Sequence, residues 1–252
     1  MTSTVSYELA DAENPVATIT LDDGKVNVLG PAMQTAIGEA LDRAEADGAK
    51  AVVLAGNSRV FSGGFDLAVF SSGDAAAALG MLGGGFELSV RTLTFPVPVI
   101  IAATGPAIAM GSFLLLSADH RVGAPKSRCQ AIEVAIGMTI PISAIEIMRM
   151  RLTPAAFQRA TALASTFVGD DAIAAGWLDE IVEADRHGRV HRHDPAVEVV
   201  PQRERECVLL AVTLVRHGYL VHGQRLGLRR VRADDTDGVV LGVEPLVSLH
   251  AL

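Results

Sequence analysis

Residues 103–119 read ATGPAIAMGSFLLLSAD, and the uncharged stretch around them runs from Thr92 to Ala118. A run of about 20 apolar residues is long enough to cross a bilayer. This run is broken, however, by five residues that interrupt regular structure: Pro96, Pro98, Gly105, Pro106 and Gly111. No cluster of basic residues flanks it to set an orientation in a membrane. The stretch therefore predicts a buried strand, a turn and an apolar helix rather than a membrane span.

The segments on both sides of this stretch alternate between strand and helix patterns. The predicted strands are Val5–Ala10, Val16–Leu21, Lys50–Ala55, Val97–Ala103, Asp119–Gly123 and Leu178–Val182. Helices are predicted from Pro31, from Asp74 to Leu93 with an interruption at Gly83–Gly85, from Met110 to Ala118, and over 141–151 and 153–164. Such alternation favours an α/β architecture through residue 184.

Composition excludes several classes of protein. The net charge of −8 over 252 residues argues against a nucleic-acid partner, which requires clustered Lys and Arg. The two cysteines, Cys129 and Cys207, are too few and too far apart for a disulfide framework or a zinc site. The first residues, MTSTVSYELA, lack the basic and apolar regions of a secretory signal, so we expect a cytoplasmic protein.

The composition changes after residue 184. Residues 1–184 carry 11 basic and 20 acidic side chains, whereas residues 185–252 carry 10 basic, 9 acidic and six of the seven histidines. We therefore predict a core domain over 1–184 and a divergent segment over 185–252. Runs such as HGRVHRHD and RLGLRRVRADD also fit a shifted reading frame of a GC-rich gene, a hypothesis that resequencing the gene would test.

Four segments, in this order along the chain, contain the candidate catalytic and binding residues. They are GKVNVLG at 24–30, VFSGGFDL at 60–67, GPAIAMGSFLLLSAD at 105–119 and EVAIGMTIP at 133–141. Together they resemble the crotonase superfamily in its enoyl-CoA hydratase/isomerase branch. The resemblance covers roughly residues 5–184. It implies a crotonase (ClpP-like) spiral of ββα units, with an atypical C-terminal segment in this chain.

The resemblance implies an acyl-CoA thioester as substrate and an oxyanion hole of two backbone N–H groups. The matching donors are the N–H groups of Phe65 and Met110, and glycines allow the close backbone approach that such a hole requires. Asp66 is expected to cap the loop, and Arg59 is either a ligand of the nucleotide phosphates or an ordinary exposed cation. The remaining residues matched to substrate binding are Lys25, Asn27 and Val28 along the CoA arm, and Gly63, Gly64, Leu67, Gly111 and Phe113 around the hole.

The sequence departs from the resemblance at one carboxylate. Hydratases of this family use two glutamates, and the position of the first is Phe113 here, whereas Glu133 retains the second. Loss of one member of an acid–base pair typically costs about 10²–10⁴-fold in rate. Three interpretations remain open: a hydratase with one carboxylate, an isomerase that uses Glu133 alone, and an acyl-CoA-binding protein with little catalysis. Glu87 is a further candidate to replace the missing carboxylate.

The resemblance implies no metal or redox cofactor, because CoA is part of the substrate, and it implies a homotrimer or hexamer. Ser112, Asp119 and His120 are residue types of a hydrolase triad, but the G-x-S-x-G turn is absent, so we set that function aside. The polar run with His187, His191 and His193 is interpreted as a solvated segment rather than a metal site.

Overall fold

The structure is a computed structural model that describes residues 4–10 and 15–182. The strands in these ranges are β1 Val5–Ala10, β2 Val16–Leu21, β3 Ala51–Ala55, β4 Val99–Ala103, β5 Ala107–Ile108, β6 His120–Gly123, β7 Arg128–Gln130, β8 Phe167–Val168 and β9 Glu180–Ile181. The helices are α1 Pro31–Ala46, α2 Leu67–Ser71, α3 Ala75–Leu93, α4 Met110–Leu116, α5 Ile142–Arg151, α6 Pro154–Leu163 and α7 Gly169–Ala175, and a 3₁₀ helix covers Glu133–Ile136.

The main sheet has six strands in the order β1-β2-β3-β4-β6-β9. The β1–β2 pair is antiparallel, and every later pair in this sheet is parallel. Strands β3 (AVVLA) and β4 (VIIAA) are buried at every position, as expected for parallel strands that are covered on both faces. A second sheet joins three short strands in the order β5-β7-β8.

The two sheets are linked by a repeating unit. A strand of the main sheet is followed by a short extended segment and then by a helix: β4 leads to β5 and α4, and β6 leads to β7 and the 3₁₀ helix. Strands β5 and β7 pair in parallel, and single parallel bridges join Ser62 to Ala107 and Val28 to Gly64. The four extended segments therefore lie side by side, and the turns that follow them meet at one edge. The predicted spiral of ββα units is confirmed.

Most of the predicted elements are present. The apolar positions of α1 that recur at intervals of three and four residues are all buried: Met33, Ile37, Ala40, Leu41 and Ala44. Strands β5, β7 and β8 were not predicted, because two or three residues are too few to show an alternating pattern.

Two expectations about α3 were wrong. The helix passes through Gly83–Gly85 without a break, since its flanking turns and its packing outweigh the low helix propensity of glycine. Glu87 is exposed on this helix, two residues beyond the buried Gly85, and so it points away from the face that packs on the core. It cannot replace the missing carboxylate.

No helix within residues 4–10 and 15–182 is long and apolar enough to cross a membrane. The predictions for residues 185–252, including the composition break, the shifted-frame hypothesis and the histidine run, lie outside the described residues.

Candidate active site

Asn27 ties the first two motif segments together. It is fully buried with a φ of 52°, and its amide nitrogen donates hydrogen bonds to Leu21 O at 2.9 Å and Phe61 O at 3.1 Å. Its amide oxygen accepts a hydrogen bond from Asp23 N at 3.0 Å. The side chain is therefore committed to protein atoms, and the predicted contact of Asn27 with the CoA arm stays a prediction.

Ser62 joins the second segment to the first and the third. Its hydroxyl donates to Asn27 O at 2.7 Å and accepts from Gly64 N at 3.1 Å, while its carbonyl accepts from Ile108 N at 3.0 Å. A Cβ at Gly111 would lie 2.7 Å from Ser62 O, so only glycine fits at this crossing. The first turn of α4 is thus held directly against the second motif loop.

The loops that carry the two predicted donors are in close contact. Gly64 has a φ of +92°, and a Cβ there would lie 2.8 Å from Ile108 O and 3.3 Å from Met110 N. Since Gly64 directly precedes Phe65, the backbone N–H groups of Phe65 and Met110 belong to neighbouring turns. Within the described ranges neither N–H donates a hydrogen bond to the protein. Both N–H groups therefore lack a partner among the described residues, and Met110 as a whole is fully buried.

Ala109 orients the second donor. It has a φ of 50° and a ψ of −126°, a conformation that costs a non-glycine residue about 1–3 kcal/mol and that is typically maintained at functional sites. Its own N–H donates to Gln130 O at 2.9 Å, so β7 holds the strained residue in place. This conformation sets the orientation of the peptide bond between Ala109 and Met110, and therefore the direction of the Met110 N–H.

Glu133 is the first residue of the 3₁₀ helix and is only 7% exposed. One of its carboxyl oxygens, Oε2, is buried and has no hydrogen-bond partner in the described part of the chain. Burial raises the pKa of this carboxyl group, and a hydrogen bond from the residue's own backbone N–H partly offsets that effect. Glu133 follows β7 as Met110 follows the parallel strand β5, so the carboxyl and the donor loops lie at the same end of these strands.

Phe113 is buried in an aromatic cluster made of Phe65, Phe70, Phe86 and Phe113. Its ring stacks on Phe86 of α3 with 6.3 Å between centroids and 22° between planes. Phe86 in turn meets Phe65 edge to face at 6.4 Å. With Phe113 1% exposed, the position that the resemblance matches to the first glutamate is occupied by a packed ring that can neither bind water nor transfer a proton.

A groove of about 540 Å³ lies beside the donor loops. Its lining has three cations, Lys25, Arg59 and Arg128, and its other lining residues are Gly24, Val26, Val60, Gly63, Pro106 and Ile108. The Arg59 guanidinium donates to Gly24 O at 2.7 Å, so it holds the loop that carries Lys25. Lys25 and Arg128 form no ion pair in the part of the chain that the structure describes. Arg128 was not foreseen from the sequence. No signal in the sequence indicated it, because the three residues of β7 are too few to show an alternating pattern.

The other candidates have local structural roles. Asp66 caps α2 by accepting from Ala68 N at 2.9 Å, and Leu67 begins that helix with its side chain exposed. Val28 forms the bridge to Gly64, and its N–H donates to Asp23 at 3.1 Å. Cys129 is a buried thiol whose pKa burial raises to about 12, so it is no nucleophile at neutral pH.

No hydrolase triad is assembled, because its three residues bond elsewhere. Ser112 donates to Ala109 O at 2.7 Å, and Asp119 accepts from Val99 N at 2.8 Å. His120 lies near two other acidic residues, Asp179 and Glu180. Over the described ranges there is also no group of three or more His, Cys, Asp or Glu side chains placed to hold a metal ion.

The spiral of ββα units, with its motif turns meeting at one edge, defines an α/β protein of the crotonase fold. The family model described as "Enoyl-CoA hydratase/isomerase" matches residues 11–200, and the chain belongs to that family.

Similar proteins agree with this assignment but differ in the activity that they are named for. A "Putative enoyl-CoA hydratase" of Thermus thermophilus is 32% identical over 189 residues, which are 71% of this chain and 68% of that protein. An enoyl-CoA hydratase structure from Mycobacterium ulcerans is 48% identical with a TM-score of 0.70, and the match covers 86% of this chain and 93% of that one. A Mycobacterium tuberculosis structure described as an enoyl-CoA isomerase is 47% identical with a TM-score of 0.69, covering 88% and 94%. A second structure of that same protein is described as a probable enoyl-CoA hydratase and is 48% identical with a TM-score of 0.70.

Proposed function

We propose that this protein is an enoyl-CoA isomerase that moves a double bond from C3 to C2 of an acyl-CoA thioester and uses Glu133 as its only acid–base group. Two observations carry the proposal: Oε2 of Glu133 is buried without a hydrogen-bond partner among the described residues, and the position matched to the other carboxylate holds the packed ring of Phe113. A water molecule needs polar partners to be held for addition to a double bond, whereas the Phe113 ring stacks on another aromatic ring, Phe86. A proton transfer between two carbons of one substrate requires only a single carboxylate.

The reaction follows from the two halves of the site. The thioester carbonyl oxygen accepts hydrogen bonds from Phe65 N and Met110 N. The Glu133 carboxylate removes a proton from C2, and the electron pair is delocalised onto the carbonyl oxygen as a dienolate that the two N–H groups stabilise. The same carboxyl group returns the proton to C4. The double bond then lies between C2 and C3, and Glu133 is again ionised.

Burial prepares Glu133 for this cycle. A base works best when its pKa is near the working pH, because it must be ionised at the start and must hold a proton in the intermediate. The raised pKa of the buried Glu133 carboxyl moves in that direction. Since ionisation is required at the start, we expect kcat/KM to fall as the pH decreases through this raised pKa.

The groove beside Gly63 is the proposed site of the CoA arm. It leads to the loop that carries the Phe65 donor, and its cations Lys25 and Arg128 have the charge that phosphate groups require. Arg59 contributes indirectly by holding the Gly24–Lys25 turn.

The experiment compares wild-type protein with Glu133→Gln in the conversion of 3-enoyl-CoA to 2-enoyl-CoA. We expect the variant to lose about 10²–10⁴-fold in kcat while it still binds acyl-CoA in a calorimetric titration. The matched control is Glu146→Gln on α5, because the Glu146 side chain is 60% exposed and should leave the rate unchanged.

The second candidate function is an acyl-CoA-binding protein without turnover, which Phe113 favours because it removes one catalytic carboxylate. This alternative predicts that wild-type protein and Glu133→Gln bind acyl-CoA equally well and that neither converts a 3-enoyl or a 2-enoyl substrate. Measurable isomerisation by the wild type would exclude it.

A further inference from the structure

At Gly85, helix α3 lies close to the side chains of both donor residues, Phe65 and Met110. A Cβ placed on Gly85 would lie 2.6 Å from Cε1 and 2.7 Å from Cζ of Phe65, and 3.4 Å from Cγ of Met110. Side-chain carbons do not approach each other within 3.0 Å, so the ring of Phe65 would have to move if any side chain stood there. The helix backbone therefore packs directly on the side chains of Phe65 and Met110.

The ring of Phe65 is partly buried, and two neighbouring rings limit the directions in which it can move. Phe70 contacts it edge to face with 6.1 Å between centroids, and Phe86 does so at 6.4 Å. Phe86 is itself held by its stack on Phe113. A force on the Phe65 ring is therefore passed to the Phe65 backbone rather than absorbed by a change of rotamer.

The backbone next to Phe65 cannot absorb a shift either. Gly64 is fixed by its contacts with Ile108 and Ala109, and Leu29 N donates to Gly64 O at 2.7 Å. A displacement of Phe65 thus changes the direction of its own N–H and its distance from the Met110 N–H. An oxyanion hole depends on that geometry, because its donors must be in place before charge develops.

We propose that Gly85 is a positioning residue of the oxyanion hole, which sets the two donor N–H groups by letting α3 pack against Phe65 and Met110. Gly85 acts through these residues and does not touch the reacting atoms. The inference rests on the proposed function only in that the two N–H groups bind the thioester carbonyl.

The chain supplies its own controls, because three consecutive glycines of α3 face different surroundings. A Cβ on Gly83 meets nothing within 4 Å, and one on Gly84 meets the end of the flexible Gln34 side chain. Gly83→Ala and Gly85→Ala make the same chemical change at positions two residues apart in the same helix. Both replace glycine with a better helix former, so a difference between them reports the contact with the donor residues.

The test measures kcat, KM and the carbonyl stretching frequency of a bound acyl-CoA thioester for the full chain and these two variants. We expect Gly85→Ala to lower kcat about 10- to 100-fold with a smaller change in KM, and to reduce the shift of the carbonyl frequency on binding. Gly83→Ala should leave kcat and the carbonyl shift within about twofold of wild type.

A double variant keeps the test decisive if Gly85→Ala alone folds poorly. Phe65→Leu removes the ring edge that a Cβ at position 85 would strike and retains the backbone donor. We expect the Gly85→Ala change to cost less than about threefold in kcat when it is made in the Phe65→Leu background.

The proposal is overturned if Gly85→Ala keeps the wild-type kcat and carbonyl shift, if Gly83→Ala lowers both to the same degree, or if Phe65→Leu gives no rescue. Failure of the proposed isomerase activity is a separate result. The carbonyl shift can be measured with a saturated acyl-CoA that cannot react, so the positioning role of Gly85 is tested even if no double bond migrates.

Discussion

The two halves of the site use different parts of the polypeptide. The proposed oxyanion half consists of two backbone N–H groups, and the turns that carry them approach other backbone closely at Gly64 and Gly111. The proposed acid–base half depends on side chains. It has one buried carboxyl, at Glu133, and a packed ring, Phe113, at the position that the resemblance matches to the other glutamate. A backbone donor does not depend on the side chain of its own residue, whereas the proposed acid–base half changes its chemistry with a single residue.

Among the variants considered, Gly64→Ala is expected to have the largest effect on the two backbone donors. The new Cβ would lie 2.8 Å from Ile108 O, so the two donor loops must separate. Loss of an oxyanion donor costs about 10²–10³-fold in kcat, and we expect a decrease of that size. The measurement is steady-state turnover of 3-enoyl-CoA.

Gly73→Ala is the matched control for this variant. Gly73 has a similar φ of +77°, but a Cβ there meets nothing within 4 Å. If Gly73→Ala lost as much turnover as Gly64→Ala, backbone strain alone would be responsible, and the contact between the loops would not matter.

The acid–base half can be examined through stability and pH. Because burial raises the pKa of Glu133 in the folded state, the ionised carboxylate destabilises the fold at a pH above that pKa, and the penalty disappears as the pH falls towards the unfolded value. Glu133→Gln removes the charge, so the variant should have a higher Tm than wild type at about pH 8, and this difference should shrink towards about pH 5. A constant difference at both pH values would contradict the assigned cause.

A smaller effect is expected in the groove. Lys25→Ala removes an exposed cation that forms no ion pair in the described residues, so KM for the CoA substrate should rise about 2- to 5-fold at low salt. The increase should disappear at about 1 M salt, where such interactions are screened. Lys50→Ala, an exposed change at the start of β3, should not alter KM; an equal effect in both variants would point to net charge instead of the groove.

The smallest change is expected from Met110→Leu. The two side chains have similar volumes and the backbone donor is unchanged, so kcat should stay within about threefold of wild type. A loss of tenfold or more would mean that the Met110 side chain itself takes part in the reaction.

The sequence predicted those parts of the molecule in which a long pattern reports burial. The five buried positions of α1 recur at helical spacing, and the apolar runs of β3 and β4 are typical of central parallel strands. The donor loops followed from glycines whose order matched a known family. These features are local in the chain, so a single sequence contains them.

The rest depends on contacts between distant segments. Strand β5 has only two residues and exists because it pairs with β7. Gly85 looks like a helix breaker until the ring of Phe65 is placed against it. The polar side chain of Asn27 could bind either a ligand or the protein backbone. Only the structure shows that its amide nitrogen donates to the carbonyl groups of Leu21 and Phe61. Periodicity does not reveal such partners.

The most direct test of the single-carboxylate account follows both possible products at once. Purified protein is incubated with a 3-enoyl-CoA and separately with a 2-enoyl-CoA, and the carbon-bound protons are followed by NMR. We predict that the 3-enoyl substrate yields the conjugated 2-enoyl thioester and that no 3-hydroxyacyl product accumulates from either substrate. Accumulation of a 3-hydroxyacyl-CoA at a rate comparable to double-bond migration would contradict the account, because water would then be added with Phe113 in place.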